Sequence, residues 1–218
     1  MKSALPFFGV PAPLRRQVVK AVAAQHPIGD TGALCNAVLA LWRGATHREL
    51  RSAALDLLRL SRLQKLIDLL LLPVLQECIE TSPWWDHNDE ISGVALGLLL
   101  QRHPQQVKPV LRQWARLPPS GPNLWFRRAA MLSQRSLGAD HFDAVLLYDC
   151  ILPSLKPDPL AAEFFIRKGM GWALRERSYA APEEVLAFCA EYRSRLSPLT
   201  LREGLRVVNK RGTLSSDH

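Results

Sequence analysis

Three short segments carry the residue types that could do chemistry. The first, residues 81–90, reads TSPWWDHNDE. Ser82 is a good N-cap and Pro83 suits the first helical position, which predicts a helix from Pro83 onward. In that helix Trp85 and Asp89 lie one turn apart on one face. An aromatic face attracts positive charge and a carboxylate pairs with it, so this pair makes a place for a cation. The second segment is residues 122–130, where Asn123 is expected to cap a helix that sets Trp125 and Arg128 one turn apart. In the third, residues 164–176, Phe165, Lys168 and Trp172 share a helical face. Gly169 and Gly171 inside that helix each cost about 1 kcal/mol relative to alanine, so tight packing or a close ligand has to offset them. Each feature also has a plainer reading. A tryptophan in a helical protein is more often core than ligand. An acid in the first turns of a helix commonly compensates the helix dipole, which suits Asp86 better than Asp89. Arg127 and Arg128 read equally as surface charge. His87 is a candidate base by residue type alone, while His26, His47, His103 and His141 fall at loop or helix-end positions. No Ser-His-Asp grouping and no GxxxxGK phosphate loop is present.

The elements that must position these residues are helical almost throughout. Leu50–Leu60 and Leu63–Leu75 are rich in Leu and Ala with polar residues at helical spacing. Strand alternation and Asn-Gly hairpin turns are missing. The 16 prolines fall mostly at expected helix starts and ends, among them Pro27, Pro83, Pro104, Pro182 and Pro198. Small residues recur in similar helical contexts at Ala53, Gly93, Ala129, Gly169 and Gly204, at intervals of about 40, 36, 40 and 35 residues. That is the length of a two-helix repeat of the HEAT class. One helix pair cannot bury its own apolar face, so pairs stack into a curved solenoid, and small residues let neighbours approach. Arg51, Arg128, Lys168 and Arg202 stand beside these small residues. Either they line a concave groove suited to a duplex backbone or they are ordinary solvated helix faces. The expectation is an all-α α-solenoid of HEAT-like repeats with a concave basic groove. It is read as a single domain over residues 1–218, with an incomplete first repeat and a disordered tail over residues 209–218.

Composition narrows the field further. The net charge is +8 and the pI is near 9.7, which permits a polyanionic partner such as nucleic acid. Cys35, Cys78, Cys150 and Cys189 lie far apart, with no CxxC pair and no histidine at ligand spacing. They read as buried free thiols in a reducing cytoplasm rather than a zinc site or a disulfide framework. The longest apolar stretch, Leu66–Leu75, is broken by Asp68 and Pro73, which argues against a membrane span. The N-terminus has no long apolar region and no cleavage site, which argues against a signal peptide. A cytoplasmic monomer without metal or cofactor is expected.

These segments, taken in order, resemble the AlkD-type DNA alkylation repair enzymes. The stretch FGVPAPLRR at residues 8–16 is similar to that family's "GV(x)TPxxR". Trp42 followed by His47-Arg48-Glu49 and Ala53-Ala54 is similar to its "LW…E.R..A" helix pair. WWDHND at residues 84–89 resembles "WWDxVD", and Trp125 through Ala130 resembles "WxxRxAI". FFIRKGMGWALRE at residues 164–176 is close to "FFIxKAIGWxLRE", the most specific of the set, and LSPLTLREG at residues 196–204 resembles "LSPLSxREA". The resemblance implies a monofunctional DNA glycosylase that removes cationic bases such as 7-methylguanine and 3-methyladenine without flipping them into a pocket. By position it makes Asp89 the catalytic carboxylate, Trp85 and Trp172 aromatic walls, and Arg128 the arginine near the lesion's backbone. Arg15, Arg16, Arg48, Arg51, Lys168 and Arg202 are expected on the duplex, the partner being duplex DNA with alkylated purines. An N-alkylated purine is already a good leaving group. Its removal needs a held cation and a stabilised oxocarbenium-like sugar, with no Schiff-base lysine. The chain departs from the pattern in three places. His87-Asn88 precedes the carboxylate where an apolar residue is usual, which implies a more polar pocket floor. Ala12 replaces threonine and Gly169 replaces alanine. A non-catalytic HEAT-like DNA-binding or scaffold module is the alternative.

Overall fold

The computed structural model describes residues 3–215. It is all-α, with no strand among the described residues. The helices are α1 (Ala12–Gln25), α2 (Thr31–Arg43), α3 (Arg48–Arg59), α4 (Ser61–Gln64), α5 (Leu72–Thr81), α6 (Trp85–Ile91) and α7 (Gly97–Arg102). They continue as α8 (Pro104–Ala115), α9 (Asn123–Leu132), α10 (Ala144–Ile151), α11 (Phe164–Ala180), α12 (Pro182–Glu191), α13 (Pro198–Gly204) and α14 (Arg206–Ser215). No helix among the described residues is long and apolar enough to cross a membrane. The chain packs as two compact units, residues 1–104 and 105–218.

In the first unit α1, α2 and α6 all pack on α3. Helix α3 buries Ala54, Leu55, Leu57 and Leu58 in a nearly continuous row, because neighbours press on it from more than one side. Helix α2 starts at a capped end, the Asp30 carboxylate accepting from the Ala33 amide at 2.7 Å. Trp42, from the same helix, is 1% exposed. Its indole N–H donates to Thr81 Oγ1 at 2.8 Å, which ties the end of α2 to the end of α5. Helix α6 runs through a π-helical segment, Ser92–Leu96, into α7. There the Ser92 hydroxyl donates to the Asn88 carbonyl at 2.6 Å. Ahead of α1, the Glu49 carboxylate accepts from the amides of Phe8 at 3.1 Å and Gly9 at 2.9 Å, and Gly9 takes the positive φ of 80° that this hook requires. Burial works against the Glu49 charge, but these amides outweigh it and hold the carboxyl below its ordinary range.

In the second unit α11 packs against both α9 and α13. The two glycines of α11 are explained by packing. A Cβ on Gly171 would lie 2.6 Å from Glu203 Cβ, and one on Gly169 would lie 3.0 Å from Arg128 Nη1. Gly204 faces Leu174 in the same way, at 3.1 Å. The small residues therefore mark the helices that stack. Ala53 is on α3 and Gly93 in the π segment of the first unit, and Ala129, Gly169 and Gly204 are on α9, α11 and α13 of the second. The repeat is also written in charge. Arg15–Asp56, Arg59–Glu90, Arg112–Asp149 and Lys168–Glu203 are paired at 2.6 to 2.7 Å across 31 to 41 residues of sequence, about one repeat.

Two expectations are corrected. Helix α6 begins at Trp85 with Trp84 as an uncapped N-cap, and Ser82 ends α5 instead. The Ser82 hydroxyl is taken by His87 Nδ1 at 2.8 Å, so it does not cap. Asn123 is the first residue of α9, and its side-chain amide donates back to the Pro118 carbonyl at 2.9 Å. Of the tail expected over residues 209–218, helix α14 takes in the part through Ser215, and residues 216–218 lie outside the described residues.

Candidate functional site

In the first unit the site residues sit on α6. Trp85, the first residue of the helix, is 40% exposed, and no cation lies over its ring among the described residues. Asp89 follows one turn later and is half-buried. Between them Asp86 forms an ion pair with Arg48 of α3, whose side chain is 6% exposed. This pair fixes the first turn of α6 against α3. The next residue, His87, is 2% exposed and points away from the Trp85 face, as expected for a residue two positions, or about 200°, further round the helix. Its Nε2 meets the Ser52 hydroxyl at 3.1 Å and its Nδ1 meets the Ser82 hydroxyl at 2.8 Å, with the Trp42 ring 5.2 Å away. Burial pushes the imidazole down to about 4, so it is neutral at pH 7. Asn88 is 1% exposed. The expectation that His87-Asn88 makes a polar pocket floor is thus corrected for His87, which bolts α6 to α3 and to the α5–α6 turn.

In the second unit α9 and α11 bring Arg128, Lys168 and Trp172 together. Arg128 is 2% exposed and donates from Nη1 to the Phe165 carbonyl at 2.5 Å. The absence of a side chain at Gly169 makes room for it. Its guanidinium carbon lies 5.6 Å from the centre of the Trp172 ring. Three more cations approach that ring: Arg135 at 5.4 Å, Arg175 at 5.7 Å and Lys168 at 5.8 Å. Glu203 of α13 binds two of them, accepting from Lys168 at 2.7 Å and Arg175 at 3.1 Å, and Lys168 chiefly holds its carboxyl below the ordinary range. Arg135 has no ion-pair partner among the described residues. Trp125 lies nearby, its ring 5.0 Å from Phe165.

The residues expected on a duplex fall into distinct environments. Arg15 and Arg16 both clamp Asp56, at 2.7 and 3.2 Å. Arg48 is buried on Asp86 and Lys168 is paired with Glu203. Arg202 is exposed on α13. Arg51 donates to the Thr81 carbonyl at 2.7 Å, and its guanidinium lies 5.1 Å from the centre of the Trp42 ring. Sequence reasoning missed Arg135, Arg175 and Glu203. Arg175 was legible, being one turn beyond Trp172, and Glu203 stands one repeat after Lys168. Arg135 carries no such signal, since it lies past the end of α9.

Comparison with known proteins agrees with this architecture. A profile of the DNA alkylation repair enzyme family matches residues 1–208. A solved structure described as a predicted DNA alkylation repair enzyme from Enterococcus faecalis superposes with a TM-score of 0.72 at 27% identity, covering 92% of this chain and 87% of that one. No curated protein matches. With a family profile spanning nearly its whole length, the chain belongs to the DNA alkylation repair enzyme family.

Proposed function

We propose that this protein is a monofunctional DNA glycosylase of the AlkD type. In this reading it hydrolyses the N-glycosidic bond of cationic alkylated purines, 7-methylguanine and 3-methyladenine, in duplex DNA and leaves an abasic site. One observation carries the reading: α6 presents an exposed indole with no cation over it among the described residues, and a half-buried carboxylate one turn away. Alkylation gives the purine a positive charge, and breaking the bond moves that charge onto the sugar. Trp85 holds the cation by its π face, and Asp89 stabilises the oxocarbenium-like sugar and orients the attacking water. Arg128 and Trp172 serve the backbone of the damaged nucleotide, and Arg15, Arg16, Arg48, Lys168 and Arg202 support duplex binding directly or through their ion pairs. No lysine is needed as a nucleophile, because water takes that part. The test is to incubate the protein with methylated duplex DNA and measure released bases by chromatography. Release of 7-methylguanine well above the spontaneous rate is expected; release at the spontaneous rate would leave a DNA-binding module as the reading.

A further inference from the structure

Within the first unit lies a cavity of about 460 Å³. Its walls are residues 3–5 of the N-terminal segment, Arg48 and Arg51 of α3, and residues 81–84 of the turn between α5 and α6. None of the described residues lining it is acidic, and its fixed charge is positive. Arg48 is already neutralised by Asp86. Arg51 is not. Among the described residues its guanidinium hydrogen-bonds to the Thr81 carbonyl, and its Nε has no partner. No carboxylate among the described residues pairs with it, although the other well-covered arginines of this unit, Arg15 and Arg48, each face one. Burial, reinforced by the charge of Arg48, lowers the Arg51 pKa, as expected where a cation is held without a counter-charge. An anion in the cavity would offset that cost. Trp84 lines the cavity and Trp85 follows it directly, so an anion bound there lies one residue from the proposed cation-holding ring.

We propose that this cavity is a phosphate subsite in which Arg51 takes one phosphate group of the DNA backbone, an inference that rests on the DNA-repair reading above. The centre of the Trp42 ring lies 5.1 Å from the guanidinium carbon, and the Thr81 carbonyl accepts from its Nη1 at 2.7 Å. This is how an arginine is preorganised for phosphate. The volume admits the sugar attached to the phosphate as well. The same chemistry would recognise an internal phosphodiester or a terminal phosphomonoester.

The experiment follows the Arg51 Nε–Hε resonance of the full chain by NMR, assigned by its loss in Arg51→Lys. The protein is titrated with inorganic phosphate, then with one duplex bearing or lacking 5′-phosphates. Duplex affinity against salt is measured in parallel for wild type, Arg51→Ala and Arg43→Ala. Arg43 is an exposed arginine paired with Glu77 and outside the cavity. The expected result is that phosphate and duplex both shift the resonance, and that Arg51→Ala lowers the salt slope by about 0.9 while Arg43→Ala leaves it unchanged. A larger shift with the phosphorylated duplex assigns the site to a strand end, and an equal shift assigns it to an internal phosphate. A resonance that neither probe moves overturns the subsite. Equal slopes for wild type and Arg51→Ala also overturn it and leave duplex binding intact. A shift with phosphate in a protein that binds no duplex keeps the anion site and removes the DNA reading instead.

Discussion

Trp85 and Trp172 are the same residue in opposite electrical surroundings. The Trp85 ring is 40% exposed, carries no cation among the described residues, and shares its helix with Asp86, Asp89 and Glu90. The Trp172 ring is half-buried and has four cationic groups within 5.8 Å of its centre. A cation–π contact contributes about 0.5–2 kcal/mol. A like charge about 6 Å away opposes a cation by roughly 0.7 kcal/mol at the dielectric of water and about 3 kcal/mol at an effective dielectric of 20. Glu203 offsets one of the pair Lys168 and Arg175, and Arg135 is offset by no described carboxylate. At Trp172 an incoming cation would therefore meet the protein's own cations at the ring. An aromatic residue alone does not make a cation site. Whether the ring is already taken decides it. In the proposed reaction the charged base belongs with Trp85, and Trp172 serves to orient the protein's own cations toward phosphate.

The largest effect that would test this contrast is at the carboxylate beside Trp85. Asp89→Asn keeps shape and removes charge, so release of 7-methylguanine should fall at least a hundredfold while duplex affinity changes little. Equal release by the variant would place the catalytic charge elsewhere. Next in size is an acid response specific to the first unit. The unfolded His87 imidazole titrates near 6.5 and the folded one near 4. Above 6.5 both are neutral. Between 6.5 and 4 only the unfolded chain takes the proton, so stability falls as pH drops through that window and levels off below it. The loss is at most about 3 kcal/mol. Asp86 works against the shift, while Arg48, Arg51 and Arg15 reinforce it. Denaturation at pH 7 and 4.5 should show the loss in wild type and a flatter profile in His87→Gln.

The two rings can then be separated directly. Trp85→Ala should lower the rate on a cationic lesion by about tenfold and leave binding to a duplex with a neutral abasic analogue unchanged. Trp172→Ala should weaken binding to both duplexes alike. Matching profiles for the two variants would erase the distinction. The smallest effect is expected at Glu203→Gln, which unmasks Lys168 and Arg175 and keeps the packing against Gly171. Duplex affinity at low salt should rise about threefold and the salt slope should steepen by at most about 0.9, as read by fluorescence anisotropy.

Much of the fold is legible from composition and spacing. The small residues Gly169 and Gly204 point to the stacked helices because close approach leaves little room for a side chain, and that constraint is local to each position. Helix starts at α6 and α9 are less legible. Ser82 and Asn123 have the right side chains for capping, but the His87 imidazole within α6 and the Pro118 carbonyl ahead of α9 claim them first. The same holds for charge. Arg15, Arg48 and Lys168 read as free basic residues until the helix one repeat away brings up Asp56, Asp86 and Glu203. Trp85 and Asp89 were legible as a pair because four residues on one helix fix their relation. The ring of cations around Trp172 draws on two helices and the chain beyond α9, which no local spacing encodes.

The π segment at Ser92–Leu96 behaves like a dislocation in a crystal row. One surplus residue is absorbed there, and the lattice on each side keeps its own phase. Upstream, the phase is set by Trp85 and Asp89. Downstream it is set by the core residues Leu99 and Leu100. Annealing the fault by deleting one residue would swing the Trp85–Asp89 face by about 100° against α7. The slip thus lets the Trp85–Asp89 face and the packing face of one continuous coil be adjusted separately.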